Sequence, residues 1–148
     1  MIRILNFDSL LGIGELPYVV SVLFTFFVFI LVINAINLID GIDGLIGSLC
    51  LNTFTSIAIL FLMSGHTNYL SYPLILASAT LPYLMFNLGF FKQETKKIFM
   101  GDAGSMLVGF TIIWLLCIGT QSSTPAFAPV TALWIVAVPL IDMAAIMI

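Results

Sequence analysis

Four polar side chains recur at every third position near the first third of the chain: Asn34, Asn37, Asp40 and Asp43, in the run Asn34-Ala-Ile-Asn37-Leu-Ile-Asp40-Gly41-Ile-Asp43-Gly44-Leu45. Acids so placed in a largely apolar chain point to a site or to a polar pathway. Positions three apart are neighbours on a helix, so Asn34, Asn37 and Asp40 are expected to form one wet stripe. Gly41 and Gly44 free the backbone where the acids sit and admit another group closely. The same run also has a structural reading, in which a polar helix end meets water, glycines close the helix and Asp43 caps the next one. A calcium loop is disfavoured because the D-x-D-x-D-G spacing is absent.

A second constellation is Phe99-Met100-Gly101-Asp102-Ala103-Gly104-Ser105. Asp102 could cap a helix by satisfying its free backbone N–H groups. The same helix start, with its positive end and small residues, could instead receive a phosphate, and a carboxylate beside it could hold Mg²⁺, which usually takes one or two carboxylates plus substrate phosphates. Together the two segments bring three carboxylates and two glycine-rich turns, an arrangement suited to a metal-bound diphosphate and hard to explain by helix capping alone.

The elements that must position these residues follow from composition. Of 148 residues, 61% are apolar and 7% charged, against about 25% charged in soluble domains. A water-facing surface cannot be built from seven acids and four bases, so the chain is expected to be an all-α polytopic membrane bundle. A crossing helix needs about 20 mostly apolar residues. On that scale the chain divides into five spans near 18–36, 45–64, 71–90, 101–119 and 129–148, forming a single integral-membrane domain with no clear repeat. A carboxylate at mid-bilayer costs about 2.5–3.5 kcal/mol on insertion scales, which makes acids near membranes pointers to sites or pathways.

Lys92, Lys96 and Lys97 share one connection, which places 91–100 in the cytoplasm because basic loops stay inside. By parity 37–44 is cytoplasmic too, so both acidic, glycine-rich connections share one face; Arg3, on the outward side, is a mild exception. The three lysines could attract phosphate, though orientation alone also explains them. The net charge of −3 is too small and dispersed to suggest nucleic acid. Cys50 and Cys117 fall inside apolar runs without a CxxC pattern, which marks them as packing residues. His66 is expected to be a solvated outer-loop residue, Trp114 and Trp134 packing or interface anchors, and Gly109 and Gly119 points of close helix approach. Residues 1–17 do not read as a signal peptide, since Asp8 and Glu15 interrupt them and Arg3 alone makes the start basic. Both ends read as edges of a larger bundle.

NAINLIDGIDGL and FMGDAGS resemble the two signature segments of the polyprenyl-phosphate sugar-1-phosphate transferase superfamily, which includes phospho-MurNAc-pentapeptide translocase. The likeness extends through LPYLMFNLG at 81–89 and through PVTALW at 129–134 to PLIDM at 139–143, where it is similar to the enterobacterial branch rather than to the translocase. It covers nearly everything from about Leu16 onward. The resemblance implies a reaction: undecaprenyl phosphate and UDP-GlcNAc give undecaprenyl-diphosphate-GlcNAc and UMP, with Mg²⁺ or Mn²⁺, on the cytoplasmic face of the bacterial inner membrane. It also implies roles. Asp102 matches the metal-binding aspartate, Asp40 and Asp43 match acids near the nucleotide, Asn37 lies in the same pocket, and Phe99 matches an aromatic that stacks on uracil. Gly101 and Lys97 fall where substrate phosphates are expected.

The departures from the family pattern carry their own expectation. The family's Asp-Asp pair in an earlier cytoplasmic loop has no counterpart here, nor does its basic, His-rich loop. The chain is therefore expected to be a central piece that is inactive alone, with its missing spans supplied by another chain or its bundle completed as a homodimer. Asp142 lies where the family also has an acid, either paired with a partner helix or placed in the cytoplasmic site. The competing readings are a transporter or channel fragment whose Asn/Asp stripe lines a polar pathway, a translocase-like enzyme, and a non-catalytic remnant. A pathway needs polar residues through the depth of the bundle, whereas here they gather at one face.

Overall fold

Long apolar runs leave the backbone one way to satisfy its polar groups in hydrocarbon, which is to coil on itself. The computed structural model describes residues 4, 17–89, 98–122 and 124–146 and shows six helices among them: α1 (Tyr18–Ile39), α2 (Leu45–Met63), α3 (Thr67–Asn87), α4 (Gly101–Gln121), α5 (Pro129–Ile135) and α6 (Ala137–Ile146). The first four are each long and apolar enough to cross a membrane, and α5 with α6 makes a fifth candidate bent by 58°. This is the architecture of a multi-pass membrane protein. Outward-facing Phe26, Phe27, Ile30, Ile75 and Leu107 are all exposed, as side chains that meet lipid should be.

The helix ends follow from sequence. α1 runs three residues past the expected end of the first span, so Asn37 is helical and Asp40 is the C-cap. α2 is entered through its N-cap Gly44, whose φ of 75° is a left-handed conformation that glycine alone adopts cheaply. At its other end Gly65, with φ 76°, closes α2. There the His66 N–H reaches the Phe61 carbonyl (2.9 Å) and the Gly65 N–H the Leu62 carbonyl (3.2 Å), the paired bonds of a Schellman motif. α3 begins at Thr67 and ends at Asn87, earlier at both ends than the 71–90 expected.

The fifth span is the clearest departure from expectation. It was expected as one run over 129–148, but it breaks at Val136 (φ −99°, ψ 9°). Pro139 has no N–H to give the Ile135 carbonyl, and its ring crowds that same carbonyl, so the helix cannot continue straight through.

α2 pairs with α3, and α1 packs between α4 and α6, with a smaller contact joining α2 to α4. The core lies between these pairs, with Phe54, Ile57 and Phe61 of α2 and Leu115 and Leu116 of α4 buried in it together with Cys50 and Cys117. α1 and α4 run antiparallel and meet closely: a Cβ on Gly109 would lie 3.0 Å from the Ile33 Cα. Tyr72 and Trp114 stack edge to face (5.8 Å) across α3 and α4, whereas Trp134 is exposed. The ends of α1 and α3 and the starts of α2 and α4 all lie at one end of the bundle.

Candidate functional site

α1 delivers Asn37 and Asp40 to that end, and α4 starts beside them. Asn37 is half-buried, and its Oδ1 accepts a hydrogen bond from the Ser105 hydroxyl at 2.6 Å. One turn further along α1, Asp40 reaches the start of α4, where the amides of Gly101 and Met100 lie against its carboxylate. Asp40 therefore faces a helix N-terminus built by another segment, where an anion is favoured. Asp102 sits in the first turn of α4 as an exposed side chain, with Met100 rather than Asp102 at the N-cap position and no side-chain cap bond there.

Electrostatics single out Asp40. Burial pushes its carboxyl above the ordinary value of 3.8, the Gly101 and Met100 amides pull it back, and the charge of Asp102 pushes it up again. One oxygen, Oδ1, is buried without a hydrogen-bond partner, and so is the Tyr83 hydroxyl. Tyr83 feels the charges of both Asp40 and Asp43 and lies near the Met100 backbone, so the two unsatisfied atoms belong to the same neighbourhood. Leaving such atoms without partners costs about 1–3 kcal/mol each. Their closeness to each other and to the start of α4 singles this place out as the candidate site.

The turn 40–44 carries Asp43 exposed at its surface. Gly44 is pressed against α3, where a Cβ would lie 2.5 Å from Leu88 Cδ2. Its N–H donates to the Asn87 Oδ1, and the Asn87 amide nitrogen donates to the Ile98 carbonyl at 2.8 Å. Phe99 follows directly, 58% exposed and open to a planar ligand. Gly101 takes a φ of 70° as the chain enters α4, and no atom lies within 4 Å of where its Cβ would be. Lys97, and the lysines 92 and 96 used for orientation, lie outside the described residues.

The structure thus brings Asn37, Asp40, Asp43, Phe99, Gly101 and Asp102 to one end of the bundle. Asn34 does not join them, because it is exposed and its amide donates back to the Ile30 carbonyl of its own helix at 2.8 Å. The expected stripe therefore begins at Asn37. Asp43 is not an N-cap, since Gly44 occupies that position and no side chain caps α2. Asp142 lies half-buried on α6, the helix beside α1.

Sequence reasoning gave no separate role to Asn87, Tyr83 or Ser105. Asn87 and Tyr83 stand four residues apart near the end of α3. That i, i+4 pair of polar groups facing the acids was the available signal.

Among the described residues, no group of three His, Cys, Asp or Glu side chains is arranged to hold a metal ion by itself. Mg²⁺ rarely needs such a cage, since one or two carboxylates and substrate phosphates complete it. The unpartnered Oδ1 of Asp40 and the exposed carboxylate of Asp102 beside the same helix start fit that pattern.

Comparison with known proteins identifies the family. The family described as Glycosyl transferase family 4 matches residues 1–120. An undecaprenyl-phosphate alpha-N-acetylglucosaminyl 1-phosphate transferase of Salmonella typhi is 48% identical over 102 residues, covering 69% of this chain and 28% of that protein. The proteins of the same name from Haemophilus influenzae (49% over 101 residues, 68% and 28%) and Pasteurella multocida (51% over 94 residues, 64% and 26%) are similar in the same way. The chain thus spans little more than a quarter of the length of these relatives. No solved structure matches.

Proposed function

Because the chain belongs to glycosyl transferase family 4, we propose that it forms the central part of an enzyme transferring GlcNAc-1-phosphate from UDP-GlcNAc to undecaprenyl phosphate. The enzyme would work at the cytoplasmic face of a bacterial inner membrane and would begin a lipid-linked surface polysaccharide. The observation that carries this reading is the meeting of Asp40 and Asp102 at the N-terminus of α4, with a buried carboxylate oxygen left open.

In this reaction an oxygen of the lipid phosphate attacks the β-phosphorus of UDP-GlcNAc, and the bond from that phosphorus to UMP breaks. Catalysis of such a transfer is mainly positioning and charge neutralisation. Asp102 and Asp40 are the residues that would hold Mg²⁺ or Mn²⁺, which neutralises charge on the diphosphate when bound. The rest is done by the chain's own groups. The α4 N-terminus receives phosphate oxygens through first-turn N–H groups beyond the two that face Asp40. Ser105 holds the Asn37 side chain in place through its Oδ1, beside the start of α4. Phe99 offers a ring face to the uracil and Asp43 lines the nucleotide side of the turn, while Lys97, assigned from sequence alone, would supply positive charge for the diphosphate. Undecaprenyl phosphate, lying in the membrane, would approach along the apolar flank of the helices.

The test is a chimera in which this chain's residues replace the matched 102 residues of the Salmonella typhi relative. The chimera is expected to transfer radiolabelled GlcNAc-1-phosphate to undecaprenyl phosphate, while membranes holding only this chain transfer none. A well-expressed chimera without activity, or one unaffected by Asp102→Asn and Asp40→Asn, would sink the reading.

A further inference from the structure

Asn87 is 2% exposed at the last position of α3, too deep for a polar side chain unless both halves of its amide are used. Both are, and both of their partners are backbone groups: the Gly44 N–H, 43 residues away in sequence, and the Ile98 carbonyl, 11 away. Gly44 immediately follows Asp43. Ile98 immediately precedes Phe99 and stands four residues before Asp102. A single buried amide therefore joins the two acid-bearing segments, which otherwise belong to different helices.

Packing around it leaves little play. Leu88 fills the space against Gly44, and a Cβ on Gly47 would lie 2.9 Å from Leu84 Cδ1. The end of α3 is thus fitted onto the start of α2, and Asn87 extends that fit to the segment entering α4. Only asparagine offers a donor and an acceptor at this reach. Aspartate has acceptors alone and would face the Ile98 carbonyl with a second oxygen, leucine offers neither, and glutamine reaches one carbon further.

We propose that Asn87 is a positioning residue, whose amide fixes the separation between the Asp43 turn and the Asp102 helix start. The proposal rests on the reading that these two segments serve one substrate. A merely structural amide would affect stability; a positioning amide sets a distance and, through it, the affinity for a metal–nucleotide complex.

The two roles separate in one experiment on the full chain. Ile42 and Ile98 are both exposed, so cysteines placed there accept spin labels while the buried Cys50 and Cys117 stay unmodified. Pulsed dipolar spectroscopy then reads the distance between the two segments, circular dichroism reads the helices, and Mn²⁺ with UDP-GlcNAc serves as the binding probe. The unmutated chain should give one narrow distance. Asn87→Asp, close to asparagine in volume, and Asn87→Leu, branched at the same carbon, should each at least double the width of the distribution and raise the apparent Kd for Mn²⁺ about tenfold, with helical content unchanged at the temperature of measurement. The aspartate variant is decisive, because it keeps the acceptor for the Gly44 N–H and loses only the donor to the Ile98 carbonyl, so widening without loss of helix isolates the link to the segment entering α4. Unchanged widths, widening that only accompanies loss of helix, or widened distances with unaltered Mn²⁺ affinity would each overturn the proposal. If the unmutated chain binds no Mn²⁺–UDP-GlcNAc, the binding arm moves to the chimera, where absence of binding sinks the functional reading, while the distance measurement still decides whether Asn87 sets the separation.

Discussion

The two ends of the bundle handle polar groups in opposite ways. At the far end, the turn between α2 and α3 and the approach to α5 close on themselves. His66 bonds to Ser64 through Nδ1 and to Thr124 through Nε2 (3.2 Å), the Ala126 N–H reaches the Gly119 carbonyl at 2.7 Å, and the Phe127 ring fills the space that Gly119 leaves. At the site end, comparable turns are held by Asn87 and Ser105, yet the Asp40 Oδ1 and the Tyr83 hydroxyl remain without partners. One end is a finished closure and the other is a frame with an opening. A fold that needed only stability would close both.

The comparison can be broken most forcefully at the acids. In the chimera, Asp102→Asn is expected to slow GlcNAc-1-phosphate transfer by about 100-fold or more, the scale on which losing one charge-stabilising group slows an enzyme, with little effect on melting; a radiolabel transfer assay beside a thermal melt separates the two. Next comes Gly44→Ala. The left-handed conformation alone costs about 1–2 kcal/mol with a side chain present, and the clash with Leu88 adds to it. Unfolding in detergent should show the loss, whereas the same change at the open turn position Gly41, where a Cβ would meet nothing within 4 Å, should be mild.

A third measurement sharpens the contrast through pH. Because burial holds the Asp40 carboxyl above 3.8, the native state binds that proton more tightly than the unfolded chain does. The associated stability is fully present below that ordinary value and is lost as pH rises through the raised one. The unmutated chain should therefore lose stability relative to Asp40→Asn as pH climbs from 3.8 upward, and parallel melts across that range would reveal a difference of the wrong sign. The smallest effect belongs to the closed end. His66→Ala should cost about 1 kcal/mol, the low end for two ordinary hydrogen bonds near the surface, and should leave transfer by the chimera unchanged.

How much of this was legible beforehand differs by residue. Helical class and the position of the long apolar runs follow from composition, because lipid leaves few alternatives. The convergence of Asp40 with the Asp102 segment follows from the parity of the crossings. Asn34 was misplaced for a geometric reason: six residues separate it from Asp40, and at 3.6 residues per turn the two point about 120° apart. Adjacent members of a three-residue stripe are neighbours, but the stripe winds off the face. The break at Val136 was written in Pro139, yet an apolar run of the right total length masks it. Asn87 was the least legible, since its partners are backbone groups, present at nearly every position and so without a mark in the sequence.

The close contact at Gly109 has a consequence beyond packing. Ser105 and Asp102 lie four and seven residues before it on α4, and along the antiparallel α1 the corresponding rungs are Ile33, Asn37 and Asp40. The site thus sits at the mouth of a ladder whose lowest rung has no thickness to spare. Its gape is set about two helical turns below the surface, at a position that touches no substrate. A methyl group inserted there would act as a shim, prising the rails apart and carrying the two carboxylates away from each other.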